Sequence, residues 1–358
     1  MKEKMQSSSS RRDVPHILAP INSYEGAVKV IDAGAEEIYC AVQIADTRDF
    51  VLYRGPSSEL KDCNELGQVV QYAHARGSKV NLVLNQPYMV TAIEEPVRKH
   101  IRNCVDQGVD TLIIGDFGVL SIVKNLGVKI PLVASTYLMS MNTEAVALLE
   151  DLGFSRVVLD RQLTLEEITK IVRNTKMGVE ILIHGGGCSN TNASCYFYHY
   201  QFPELADAER ESKRSTPCSL PFDLHELNSP QNTLKDVCVM DAFEYCSVCN
   251  LPELISTGVV GLKIEGRTGN VWYQESTTRI YRELLDLIAE GRTSEYQKRL
   301  TEIKEHVYFA PVRTSFHKLK DIWCHQERCY YSPIAHAPYK IPLTWQAWTK
   351  QHFSWVVT

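Results

Sequence analysis

Short runs of aliphatic and β-branched residues recur along the chain, each followed by a longer stretch with helical spacing of its apolar positions. The runs are HILAPI (16–21), EIYCAV (37–42), KVNLVL (79–84), TLIIGD (111–116), IPLVAS (130–135), RVVLD (156–160), VEILIH (179–184) and GLKIEG (261–266). The stretches between them include SYEGAVKVIDAGA, EEPVRKHIRNCVDQG, NTEAVALLEDLG and TLEEITKIVRNT, several of which close on the glycine expected just past a helix end. TLEE at 164–167 has the form of a capping box, with Thr164 as N-cap and Glu167 three residues on. Eight strand–helix alternations predict an α/β fold, a (β/α)8 TIM-type barrel with a parallel sheet. A doubly wound open sheet is the competitor; no G-x-G-x-x-G follows the first strand, which weakens its nucleotide-binding form.

The rhythm stops at two places. From about 185 to 240, after the seventh strand, a polar and partly aromatic insertion carries most of the clustered cysteines. In a barrel it lies over the C-terminal face, where active sites of this fold are built, and so long a loop needs a function or a cross-link to hold it. After residue 292 the barrel pattern is complete. The expected organisation is a disordered lead-in (1–14), the barrel (15–292) with its insertion (185–250), and a C-terminal extension of unknown role (293–358).

Strands seven and eight carry charge where barrel strands are usually apolar. Strict alternation places Val179, Ile181 and Ile183 on one face and Glu180, Leu182 and His184 on the other. Likewise Val260, Leu262 and Ile264 oppose Lys263 and Glu265. The apolar faces belong against the helices, so the polar ones are expected inside the barrel, with His184, Glu265 and Arg267 nearest its mouth. Two readings follow. Lys263 can be half of a structural ion pair with Glu265 or Glu180, or these groups can bind an anion and move protons. Arg267, just past Gly266, suits a carboxylate or phosphate.

Composition narrows the classes. The 44% hydrophobic and 23% charged fractions over 358 residues are those of a globular chain, and a net charge of −5 gives no general attraction to nucleic acid. No run approaches the roughly 20 apolar residues of a transmembrane helix, and MKEKMQSSSSRRDVP lacks the apolar core of a secretory signal. A cytoplasmic, reducing location is therefore expected, in which the eleven cysteines serve metal binding or catalysis better than disulfides. Cys40, Cys63 and Cys104 read as isolated buried small hydrophobes. Cys188, Cys195, Cys218, Cys238, Cys246 and Cys249 cluster in one stretch.

HGGGCSNTNASC (184–195) admits two chemistries. HGGG has the look of an esterase oxyanion loop, but the chain has no G-x-S-x-G elbow, since GFSRV at 153–157 lacks the final glycine. H-E-x-x-H is also missing, because HELNS at 225–229 has Ser in the last place. A Cys188 nucleophile with His184 as base leaves the other cysteines unexplained. A four-thiolate centre uses them, either zinc or iron–sulfur. Only one short C-x₂-C pair is present, Cys246 to Cys249, and this spacing leans toward iron–sulfur.

Together these residues resemble the U32 family, long labelled peptidases or collagenases. ILAPINSYEGAVKVIDAGAEEIYCAV is similar to the family's opening strand–helix–strand, and RVVLDRQLTLEEI to its arginine-containing segment. Glu180, His184-Gly185, Cys188 and Cys195 fill its signature, and CSVCNLPELISTGVVGLKIEGR resembles its later cysteine, PEL helix and KIEGR strand. The small and aliphatic residues of that signature are replaced here by Gly186 and Gly187, and its second glycine by Ala193. The resemblance implies a [4Fe–4S] cluster on Cys188, Cys195, Cys218 and Cys246, with Cys249 as an alternative ligand. It implies hydroxylation without O₂ of a nucleobase in RNA, a quinone precursor or another small aromatic, with a small anionic, prephenate-like oxygen donor. On that reading His184, Glu265 and Lys263 are the proton-transfer candidates, while Arg161 and Arg267, with Lys263, anchor the anion. The alternatives it carries are a peptidase and a non-catalytic electron-transfer subunit working with a second U32 protein.

Overall fold

The computed structural model describes residues 14–43, 58–86, 89–188, 191–194, 222–226, 229–237, 241–305 and 330–331. All eight expected strands form: β1 (His16–Pro20), β2 (Glu37–Cys40), β3 (Lys79–Leu84), β4 (Thr111–Ile114), β5 (Leu132–Ala134), β6 (Arg156–Val158), β7 (Gly178–Cys188) and, after three further strands, β11 (Gly261–Ile264). They pair in parallel in the order β7-β11-β1-β2-β3-β4-β5-β6. The β6–β7 pairing, Arg156 to Gly178 through Val158 to Glu180, closes the barrel.

Helices α1 (Tyr24–Asp32), α2 (Cys63–His74), α3 (Glu94–Asp106), α4 (Phe117–Leu126), α5 (Thr143–Asp151) and α6 (Leu165–Arg173) each follow a strand. Most start on a side-chain cap: Ser23, Asp62, Asp116 and Asn142 accept backbone N–H groups of the first turn. Thr164 and Glu167 make the expected reciprocal capping box. Outward strand residues such as Ile17, Ile38, Leu82, Leu112 and Val157 merge with the helices into one large core. Inside the barrel a smaller cluster of Leu18, Tyr39, Ala41, Val83, Ile113, Val133 and Val158 fills the middle.

Where the strand–helix rhythm stops, the described part of the insertion is built of antiparallel strands. Strand β7 runs beyond the barrel, and β10 (Asp241–Cys246) pairs antiparallel with that overhang, Cys246 opposite His184 and Asp241 opposite Cys188. Strands β8 (Phe222–Glu226) and β9 (Ser229–Val237) form a separate antiparallel pair.

Helix α7 (Leu251–Ser256) leads into β11, and α8 (Val271–Ala289) follows it. The segment after 292 begins with a further helix, α9 (Thr293–Glu305), against α8. Two residues further on, Tyr330 and Tyr331, are buried in the main core. The Tyr330 N–H donates to the Cys246 carbonyl (3.1 Å), and the Tyr331 hydroxyl to that of Leu182 (2.6 Å). The C-terminal stretch is thus partly integral to the barrel wall, which its lack of period concealed.

Candidate active site

The barrel interior has three levels. At the N-terminal end the first inward residue of most strands is polar: His16, Glu37, Asn81, Thr111, Arg156 and Glu180. Arg156 lies among them, its Nη1 2.9 Å from Glu37 Oε2 and 3.0 Å from Glu180 Oε1, while Nη2 donates to Asn81 Oδ1 at 3.1 Å. Thr111 Oγ1 donates to the same Asn81 oxygen. Burial opposes the charge of Arg156, but Glu180 and Glu37 hold its pKa above the ordinary guanidinium value. His16, Glu37 and Glu180 have ligand atoms within 4.8 Å of one another, a metal-like donor set. The guanidinium already fills the position a cation would take.

The mouth is built differently. Lys263 on β11 points inward with its ammonium 4.2 Å from the Tyr39 ring centre, a cation–π contact. Burial lowers its pKa to about 8; Glu180 works against that fall and Arg267 adds to it. Just above, Arg161 Nη2 donates to Glu265 Oε1 (3.0 Å) and to Asn192 Oδ1 (3.2 Å). Its neighbour Asp160 accepts from the backbone of Arg161 (2.9 Å) and of Asn192 (3.2 Å), and burial raises its pKa despite the arginine. Asn192 Nδ2 donates to Thr136 Oγ1 at 2.7 Å. A short turn lying between Cys188 and Cys195 is thereby fastened over the ends of β5 and β6.

Arg267 is also nearly buried, and its carbonyl is held by Asn22 Nδ2 at 2.8 Å. Glu265 is positioned by its own backbone, which donates to the His184 carbonyl (2.8 Å) and accepts from the Tyr273 hydroxyl (2.6 Å). Gly185 has φ +123°, and a Cβ there would lie 2.5 Å from Cβ of Glu265. The first glycine of HGGG is therefore required for β7 to pass Glu265.

Four expected residues thus gather at the mouth: Arg161, Lys263, Glu265 and Arg267. His184 does not join them. The β11–β7 register steps from Lys263–Leu182 to Ile264–His184, skipping a residue. This bulge reverses the face, so His184 follows Ile264 outward. Its Nδ1 lies 3.3 Å from the Tyr281 hydroxyl, its ring packs on Tyr273 and Tyr281 of α8, and burial lowers its pKa to about 3. The Lys263–Glu180 pair considered from sequence is replaced by Arg156–Glu180.

Of the cysteines, Cys188 ends the β7 overhang, and Cys246 and Cys249 are half-buried at the edge of the core. Cys188 and Cys246 sit four positions apart along the β7–β10 ladder, about 13 Å at the strand rise. The donor chemistry of these cysteines suits a thiolate-ligated centre. Cys195, Cys218 and Cys238 lie outside the described residues.

Sequence reasoning missed Asp160, Asn192 and Tyr39 at the mouth, and Arg156 below. Arg156 and Asn81 were visible as polar residues at alternating positions within apolar strands. Asn192 had no such signal, because only folding carries its turn to Arg161.

The model of the Peptidase family U32 matches residues 22–326. The chain is 30% identical over 302 residues to the 23S rRNA 5-hydroxycytidine C2501 synthase of Escherichia coli (strain K12), covering 84% of this chain and 44% of that protein. It is 26% identical over 315 residues to an uncharacterized protease of Methanocaldococcus jannaschii, covering 84% and 72%. It is 26% identical over 301 residues to the tRNA hydroxylation protein P2 of Bacillus subtilis (strain 168), covering 82% and 92%. The chain spans less than half of the Escherichia coli synthase, so the alignment omits most of that protein. Among the described residues no helix is long and apolar enough to cross a membrane.

Proposed function

The chain belongs to the Peptidase family U32, and we propose that it takes part in hydroxylating a nucleobase of RNA. The observation that carries this reading is the extent of the match to relatives named for RNA hydroxylation, which runs over more than four fifths of this chain. The mouth supports it chemically. Among the described residues, the buried cations Arg161, Lys263 and Arg267 lie with the carboxylates Asp160 and Glu265, a cation-rich arrangement suited to a small anionic oxygen donor of the prephenate type. Lys263, with its pKa brought to about 8, can give or take a proton near neutral pH. Glu265, locked to Arg161, aligns that cation rather than attacking substrate.

A [4Fe–4S] cluster on Cys188, Cys195, Cys218 and Cys246, with Cys249 as the alternative ligand, would supply one-electron chemistry beside this pocket. The Asn192 turn gives that assignment a reason, since it fastens the segment between the first two cysteines at the mouth.

The test is nucleoside analysis of total RNA from cells lacking the gene. A pyrimidine nucleoside one oxygen heavier than its parent should disappear, return with the wild-type gene, and stay absent with Lys263→Met, a loss of about 10²-fold or more. Unchanged RNA nucleosides, together with peptide cleavage by the purified protein, would overturn the reading in favour of a peptidase. Anaerobic purification tests the cluster: iron and sulfide should copurify and be lost in Cys188→Ala, and zinc without sulfide would exclude it.

A further inference from the structure

Cys40 and Cys104 are buried in the core as their sequence context suggests, but Cys104 is not isolated: Cys63 lies beside it. Cys63 is the first residue of α2, placed there by the Asp62 cap, whose carboxylate accepts from the Glu65 N–H at 2.9 Å. Cys104 lies on the buried face of α3 with Val97, His100 and Ile101. The two sulfurs are 3.7 Å apart, although 41 residues separate them in the chain. His100, one helical turn before Cys104, has its Nε2 3.6 Å from the Cys104 sulfur. Cys40 stands behind the pair, fully buried at the end of β2.

The two thiols differ in access. Cys104 is fully buried and Cys63 only half-buried, so a small reagent reaches Cys63 first. Burial raises the pKa of the Cys104 thiol, with Cys63 adding to the effect. The neighbouring His100 is held neutral by burial, its pKa lowered to about 4. The side chains are not gathered tightly enough for a metal: among the described residues, the group of three ligand atoms within 4.8 Å is His16, Glu37 and Glu180 instead.

We propose that Cys63 and Cys104 are a reversible redox pair whose disulfide ties α2 to α3, with Cys63 the sulfur that reacts first. The oxidant is of the peroxide class. Peroxide transfers one oxygen to the Cys63 sulfur, giving a sulfenic acid and one water. The Cys104 sulfur then attacks that of Cys63; the S–S bond forms, the S–O bond breaks, and the leaving hydroxide takes the Cys104 proton and departs as a second water. Two thiols and one peroxide thus give one disulfide and two waters, and a dithiol reductant reverses the change. The 3.7 Å separation requires only a small approach of the sulfurs to reach bonding distance.

The experiment treats the full-length protein with one equivalent of hydrogen peroxide under otherwise anaerobic conditions. Free thiols are then blocked and the non-reduced digest is analysed by mass spectrometry. A peptide pair joined through Cys63 and Cys104, two hydrogens lighter than its parts and separated by dithiothreitol, is expected. Cys63→Ser should abolish it. In Cys104→Ala the Cys63 sulfenic acid should persist and be captured by dimedone, a readout that does not depend on the first variant folding. Joining of Cys63 to any other cysteine, over-oxidation of Cys63 while Cys104 is still a thiol, or a metal ion held by both thiols in native mass spectra would overturn the proposal.

Discussion

The two ends of the barrel interior carry the same kinds of residue and put them to opposite uses. At the N-terminal end one arginine sits between two carboxylates, with Asn81, Thr111 and His16 around it, so its charge is met from within the protein. At the mouth, among the described residues, Arg161, Lys263 and Arg267 lie with two carboxylates, Asp160 and Glu265, and the Lys263 ammonium rests on the Tyr39 ring. A buried charge met internally stabilises a unique packing but binds nothing more; a surplus is a standing site for a ligand of the other sign. The lesson is that counting buried charge on barrel strands does not locate the site. The balance within each layer does.

Disturbing each layer in turn measures this difference. The largest effect is expected from Arg156→Ala, which leaves Glu37 and Glu180 buried without their cation. Unfolding in urea should show a loss of about 3–5 kcal/mol, and a loss below about 1 kcal/mol would mean the lower layer is not the closed unit described. Next is the pH dependence set by Lys263. The unfolded chain keeps this proton to pH 10.5 and the folded one only to about 8. Between those values the unfolded state binds more protons, so stability should rise with pH by about 3 kcal/mol from this group. Lys263→Met should flatten that rise, seen in urea midpoints collected from pH 7 to 10. The smallest effect is expected at His184. His184→Phe removes one hydrogen bond to Tyr281, whose hydroxyl keeps its partners at Ile183 and Ser247. The cost should be about 1 kcal/mol, with substrate affinity unchanged. A selective loss of product formation at full stability would return His184 to the mouth.

Much of this contrast was present in the strands themselves. His16, Glu37, Asn81, Thr111 and Arg156 each stand two residues before an inner apolar residue, Leu18, Tyr39, Val83, Ile113 and Val158. A period of two therefore encodes the polar lower layer as well as the apolar one above it. Alternation also placed Lys263 and Glu265 correctly. It failed at His184 because a one-residue bulge reverses every face beyond it, and HGGG, free of side-chain preference after the histidine, gives no pattern that marks the slip.

The sequence by itself determined the barrel, its eight strands, the Thr164 capping box and the arginines, lysine and glutamate that line the mouth. These follow from periodicity and local hydrogen bonding, which act over a few residues. Only the tertiary structure decided which charges neutralise one another, that Arg156 rather than Lys263 answers Glu180, and that Asn192 closes on Arg161. It alone brought Cys63 to Cys104 across 41 residues. Such pairings depend on register and on where helices cross, and no local pattern carries that information.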